Sequence, residues 1–210
     1  MGTQSPLFLS SSLLVLIVTF YNLHTTTVAV RSAGAGNSDS TSFIRTSCGI
    51  TLYPDLCVSS LSSYKNAIQH NHAILARAAV TVSLARAQTM ASYVSNLLRR
   101  ANSDDTTSAL RDCSYSLGVA VDNIRGSLKE MERMSDKNAV NGEKFRFQMS
   151  CVQTWMSTAM TEQQSCSQRF DAVRDGSVKT DVRGRVTEVK KFISNALALV
   201  QSYGNNVRKP

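Results

Sequence analysis

Apolar residues recur along most of the chain at spacings of three and four, the period that gathers them on one face of an α-helix. Ala76, Val80, Leu84, Ala87, Ala91, Val94 and Leu98 form the first such stripe. Leu110, Cys113, Leu117, Ala120, Ile124, Leu128 and Met131 form the second. Met149, Val152, Met156, Ala159, Gln163 and Cys166 form the third, with Gln163 its one polar member, and Val182, Val186, Val189, Ile193, Ala196, Val200 and Tyr203 form the fourth. Each stripe needs a neighbouring helix to cover it. The polar breaks at 99–105, 135–143 and 171–180 are short enough to join antiparallel neighbours. The pattern predicts an all-α protein, an antiparallel up-down-up-down four-helix bundle over 72–204. Asp104 or Asp105 is the expected N-cap of the second bundle helix, and Thr180 or Asp181 that of the fourth.

Ahead of the bundle, residues 41–66 read as two short helical pieces broken at Tyr53-Pro54, a helical hairpin extension. Pro54 suits the first turn of a helix, where its missing N–H costs nothing. Residues 30–40, with Gly34, Gly36, Asn37, Ser38 and Ser40, are expected to be a flexible lead-in. Leu7–Phe20 is a largely apolar run of 14 residues, short of the roughly 20 that a membrane span needs. Small residues follow it up to Ala29, the layout of a secretory signal peptide over 1–29, although no Lys or Arg precedes the run. A secreted protein without a membrane anchor is expected, in a compartment where disulfides form.

The five cysteines sharpen the bundle. Cys48 and Cys57 flank the Pro54 turn with eight residues between them, so helices folding back there bring them together. In antiparallel helices, residues at one height have numbers mirrored about the connecting loop. The midpoint of 113 and 166 is 139.5, inside the 135–143 break, so Cys113 and Cys166 face each other. Cys151 mirrors onto Leu128 and lies 15 residues from Cys166, about 22 Å along a helix. A bridge tolerates a Cα separation of roughly 7 Å at most. The expected pairs are Cys48–Cys57 and Cys113–Cys166, with Cys151 a free thiol.

Composition adds less. The 210 residues carry 23 Lys+Arg against 15 Asp+Glu, a net charge of +8, and residues 1–29 contribute no charge to it. Three prolines and ten glycines are few for a barrel or sandwich, which turns every 8–12 residues or so. The basic residues stand singly or in pairs, as on a solvated helical surface, and export points to an acidic polysaccharide or acidic protein partner and not to nucleic acid. His70 and His72 offer two ligands where a metal site needs more, and no Cys or carboxylate cluster adjoins them. No phosphate loop, metalloprotease helix or nucleophile elbow is present. The residues read as a binding module with no cofactor and no catalytic machinery, and Trp155, one position off its stripe, as a partly buried side chain.

The run FIRTSCGITLYPDLCVSSLSSY (Phe43–Tyr64) resembles the start of the plant invertase and pectin methylesterase inhibitor domain. The likeness continues through ARAAVTVSLARA (Ala76–Ala87), LRDCSYSLGVAVDNIRGSL (Leu110–Leu128), VQTWMSTAMTEQQSC (Val152–Cys166) and VKTDVRGRVTEVKKFISNALALV (Val178–Val200). It spans 41–203, and VQTWMS is similar to the pectin methylesterase inhibitor branch. The resemblance implies a secreted inhibitor of the plant apoplast and cell wall, with the same two disulfides. Pectin methylesterase would be its protein partner, its pectin cleft occluded in a reversible 1:1 complex by the second and third bundle helices. Candidate contacts are Tyr115, Ser116, Thr158, Glu162 and Ser165. Acid invertase is the alternative target, although the Pro-Lys-Phe motif of that branch is absent and Lys144-Phe145 follows Glu143. A wall-associated module binding acidic pectin directly is a third reading. The chain departs from the family pattern where Arg183 replaces a late cysteine. It departs again where Ser114, Tyr115 and Ser116 stand in place of an acidic residue, and where Ser165 stands in place of Thr.

Overall fold

The structure, a computed structural model, describes residues 35–102, 104–134 and 142–208. The segment expected to be a signal peptide lies outside them. By its contacts the chain divides into residues 1–38 and 39–210. The first unit is described at 35–38 alone, as the opening turn of a helix, so the packing described below begins at Asp39.

Four long helices, α4 (His72–Leu98), α5 (Asp104–Met134), α6 (Gly142–Gln168) and α7 (Ser177–Arg208), form the bundle. They follow α1 (Ala35–Cys48), α2 (Pro54–Leu61), a 3₁₀ turn at Ser62–Tyr64 and the single turn α3 (Lys65–Ile68). Each bundle helix packs on two neighbours in the cyclic order α4, α5, α6, α7, and α2 lies against α4 and α7. Leu110, Leu117, Ile124, Met149, Met156 and Ile193, all stripe members except that α6 begins its set one turn earlier at Phe145, are buried in the common core.

The first stripe is rotated from its expected position. Leu84, Ala91 and Leu98 are half-buried, whereas Leu75, Ala79, Ser83 and Met90 are buried. Helix α4 is covered on three sides, by α5, α7 and α2. A single apolar face understates the burial of a helix so enclosed.

Three helix starts also differ from expectation. Helix α1 begins at Ala35, so residues 35–40 are helical where a flexible lead-in was expected. Ile44 and Cys48 anchor this helix in the core, and once its nucleus is fixed each further residue is added at little cost, even through Gly36. Helix α5 opens with Asp104 and Asp105 inside its first turn, where their charge complements the helix dipole, so neither is the cap. Helix α7 starts at Ser177, before the expected caps Thr180 and Asp181. Asp181 instead accepts a hydrogen bond from the Tyr93 hydroxyl of α4 and is bonded by Arg185 Nε at 3.0 Å, so its carboxylate joins two helices.

The hairpin is fixed to the bundle by one amide. Asn195 of α7 accepts a hydrogen bond from the Tyr53 backbone N–H (3.1 Å) and donates one to the Tyr53 carbonyl (2.8 Å). At the other end of the hairpin, Phe43 packs its ring on His70 and His72 at centroid distances of 5.3 and 4.9 Å. His72 is the first residue of α4, whose N-terminus Asn71 caps by accepting from the Ala73 and Ile74 N–H groups.

Candidate functional site

Disulfides join Cys48 to Cys57 and Cys113 to Cys166, and Cys151 is an unbonded, half-buried thiol. The second bridge sets the height of α5 against α6, so residues whose numbers mirror about 139.5 lie level. Tyr115 stands level with Gln164 and Ser165 and is 76% exposed, the most exposed of the large apolar side chains described. Its neighbour Ser116 is only 3% exposed and lies opposite the buried Gln163. Ser116 therefore cannot touch a partner: one helical step turns it from the outer face of α5 onto the seam with α6.

On α6 the residues Phe147, Cys151, Thr154, Thr158, Glu162 and Ser165 follow one another at spacings of four and three. They make one column on the outer side of the α5–α6 pair, about 27 Å long at 1.5 Å per residue. The expected contacts Thr158, Glu162 and Ser165 are half-buried within it. The Thr158 hydroxyl donates to the Thr154 carbonyl at 3.0 Å and keeps its lone pairs for an incoming donor. At the far end of the column Phe147 is 69% exposed, an aromatic ring that the apolar periodicity passes over. Its signal in the sequence is its place off the stripe, two residues from both Phe145 and Met149.

The seam between the two helices is close. The Trp155 ring lies over Gly126, where an added Cβ would meet ring carbons at 3.4 and 3.5 Å. Arg169, in the turn just after α6, pairs with Asp112 of α5 at 3.9 Å. Below Phe147, Gln148 donates to the buried Glu130 carboxylate at 2.9 Å, and Arg133 reaches the same carboxylate at 2.8 Å. None of these groups forms a nucleophile and base pair, and among the described residues no three His, Cys, Asp or Glu side chains gather as a metal site would require.

The plant invertase/pectin methylesterase inhibitor family model matches residues 42–199, most of the chain. The chain belongs to that family. It is thus a member of a family of inhibitor proteins and not an enzyme. Among curated relatives, pectinesterase inhibitor 9 of Arabidopsis thaliana is 39% identical over 176 residues, covering 82% of this chain and 85% of that protein. A 21 kDa protein of Daucus carota is 36% identical over 173 residues, covering 81% and 88%. Among solved structures, a mutant form of an Arabidopsis pectin methylesterase inhibitor superposes with a TM-score of 0.59 at 16% identity, over 75% of this chain and 95% of that one. The structural likeness carries the family fold, a helical bundle with two disulfides. No helix of the described residues is long and apolar enough to cross a membrane.

Proposed function

We propose that this protein inhibits pectin methylesterase, laying the outer face of α5 and α6 across the pectin-binding cleft of the secreted enzyme in a reversible 1:1 complex. Inhibition then needs no chemistry from the inhibitor, since exclusion of the polymer is sufficient. The target is supported by relatives named pectinesterase inhibitors, one of them 39% identical. The observation that carries the choice of face is the pair of exposed aromatic rings. Tyr115 and Phe147 stand near opposite ends of a hydroxyl-rich column on two helices locked in register by a disulfide. Large aromatic side chains on a rigid support are the usual energetic anchors of an interface, with polar residues between them completing the fit.

In this reading Thr158, Glu162 and Ser165 supply that polar fit, Tyr115 and Phe147 the anchors, and Ser116 holds the seam from within. The protein acts outside the cell, in the apoplast and wall. Tyr115→Ala and Phe147→Ala should each weaken inhibition about tenfold or more, the loss associated with removing an anchor. Thr81→Ala, on the exposed side of α4, should leave it unchanged. Equal inhibition by all three variants would remove α5–α6 from the interface.

A further inference from the structure

The opposite side of the bundle holds a groove of about 710 Å³ between α4 and α7, a size typical of ligand sites. Its floor is the buried pair Met90 and Val189. Two guanidinium groups lie over aromatic rings along its length, Arg86 over Phe192 at 4.8 Å and Arg185 over Tyr93 at 4.3 Å from Cζ to the ring centroid. A guanidinium held over a ring carries more N–H donors than the ring contact uses. The two levels are seven residues apart on α7, about 10 Å of helical rise.

Two arginines and two carboxylates line the groove, and both carboxylates are already engaged. Asp181 is engaged by Arg185 and by the Tyr93 hydroxyl, and its carboxyl is held below the ordinary range, chiefly by the Tyr93 bond. Glu188 is paired with Lys191 at 2.6 Å. Arg86 has no carboxylate within ion-pair distance among the described residues. Arg185 meets Asp181 through Nε alone. Gly184 opens the wall between them, since no atom lies within 4 Å of where its Cβ would stand.

We infer that this groove binds an acidic sugar chain, a run of hexuronic acid units, at a site separate from the α5–α6 face. Carboxylates of the chain would meet the edges of Arg86 and Arg185, the bidentate geometry that guanidinium favours. The hydroxyls of Thr89, Ser177 and Thr180 along the rim answer those of the sugar. The C–H faces of the rings would cover Met90 and Val189. An extended acidic peptide fits less well, because helical walls have no free backbone groups to satisfy its amides.

The test is calorimetric titration of the full protein with a short de-esterified oligogalacturonate at fixed, moderate ionic strength. Its fully methyl-esterified counterpart and an unstructured peptide of equal negative charge serve as comparison ligands. Binding of the de-esterified chain is expected, weakened about tenfold or more by Arg86→Ala, with loss of charge pairing, and by Gly184→Leu, which fills an open wall without a clash. The esterified chain and the peptide are expected to bind far more weakly. Both variants replace exposed residues, and unchanged thermal midpoints confirm their folding. Three results would each overturn the proposal: no binding, undiminished binding by both folded variants, which would mean diffuse attraction to a basic surface, or peptide binding as tight as that of the sugar.

Discussion

Gln163 is fully buried near the C-terminal end of α6, and neither its amide nitrogen nor its oxygen finds a hydrogen-bond partner among the described residues. Unpaired buried polar groups cost about 1–3 kcal/mol, whereas an apolar side chain of similar shape carries no such penalty. Gln163→Leu should therefore raise the urea midpoint, by an amount equivalent to about 1–3 kcal/mol. A lowered midpoint would mean that the amide is satisfied by an internal water. The residue was legible as a member of the apolar stripe, but its lack of a partner was not, because that depends on what α5 places opposite. There stands Ser116, whose direction a single helical step decides. The cysteines were more legible because helix register is arithmetic. Under denaturing, non-reducing conditions, thiol mapping should label Cys151 alone. Cys113→Ser should cost about 2–5 kcal/mol in chemical unfolding and Cys151→Ser much less, since it breaks no bridge.

At the scale of the elements, the long stripes on α5, α6 and α7 identified their helices and buried faces, because the stripe residues are the ones their neighbours cover. The hairpin adds a third neighbour to both α4 and α7, and on α4 the buried set extends beyond the stripe, which no local period reports. Helix starts were the least legible feature. Asp181 looked like a cap from its place before an apolar run, yet its carboxylate links α7 to α4 through Tyr93 and Arg185. Its pKa is lowered first by the Tyr93 bond and then by Arg185. A carboxyl lowered on folding contributes stability above its unfolded pKa and loses it as pH falls through the folded value. Asp181→Asn should thus lower the thermal midpoint at neutral and mildly acidic pH, with the gap to the parent closing only in stronger acid. A constant gap across that series would assign the effect to packing. The Asn195 amide makes a comparable link, and here both bonded groups belong to one backbone turn. Asn195→Ala leaves the Tyr53 N–H and carbonyl without their partner, about 1–3 kcal/mol for each group that stays unsatisfied. Proteolysis at the hairpin should accelerate accordingly, and an unchanged cleavage rate would show that Cys48–Cys57 and α2 hold it unaided.

For the whole molecule, the proposed inhibitory face and the proposed sugar groove lie on two sides of the bundle. Helices α5 and α6, stapled by Cys113–Cys166, present a column of hydroxyls between Tyr115 and Phe147. Helices α4 and α7 line the groove, with guanidinium groups over aromatic rings. The bundle and its staples were readable from periodicity and spacing. The face was readable only in part, since Phe147 lies off every stripe and the value of an exposed ring depends on what it meets. The most direct measurement is residual activity of a purified plant pectin methylesterase titrated with this protein, at acidic and at neutral pH, beside acid invertase under the same conditions. Methylesterase activity should fall in proportion to added inhibitor and end at equimolar protein, with Phe147→Ala and Tyr115→Ala shifting the curve and invertase unaffected. Full methylesterase activity at molar excess at both pH values, or inhibition of invertase in its place, would contradict the account.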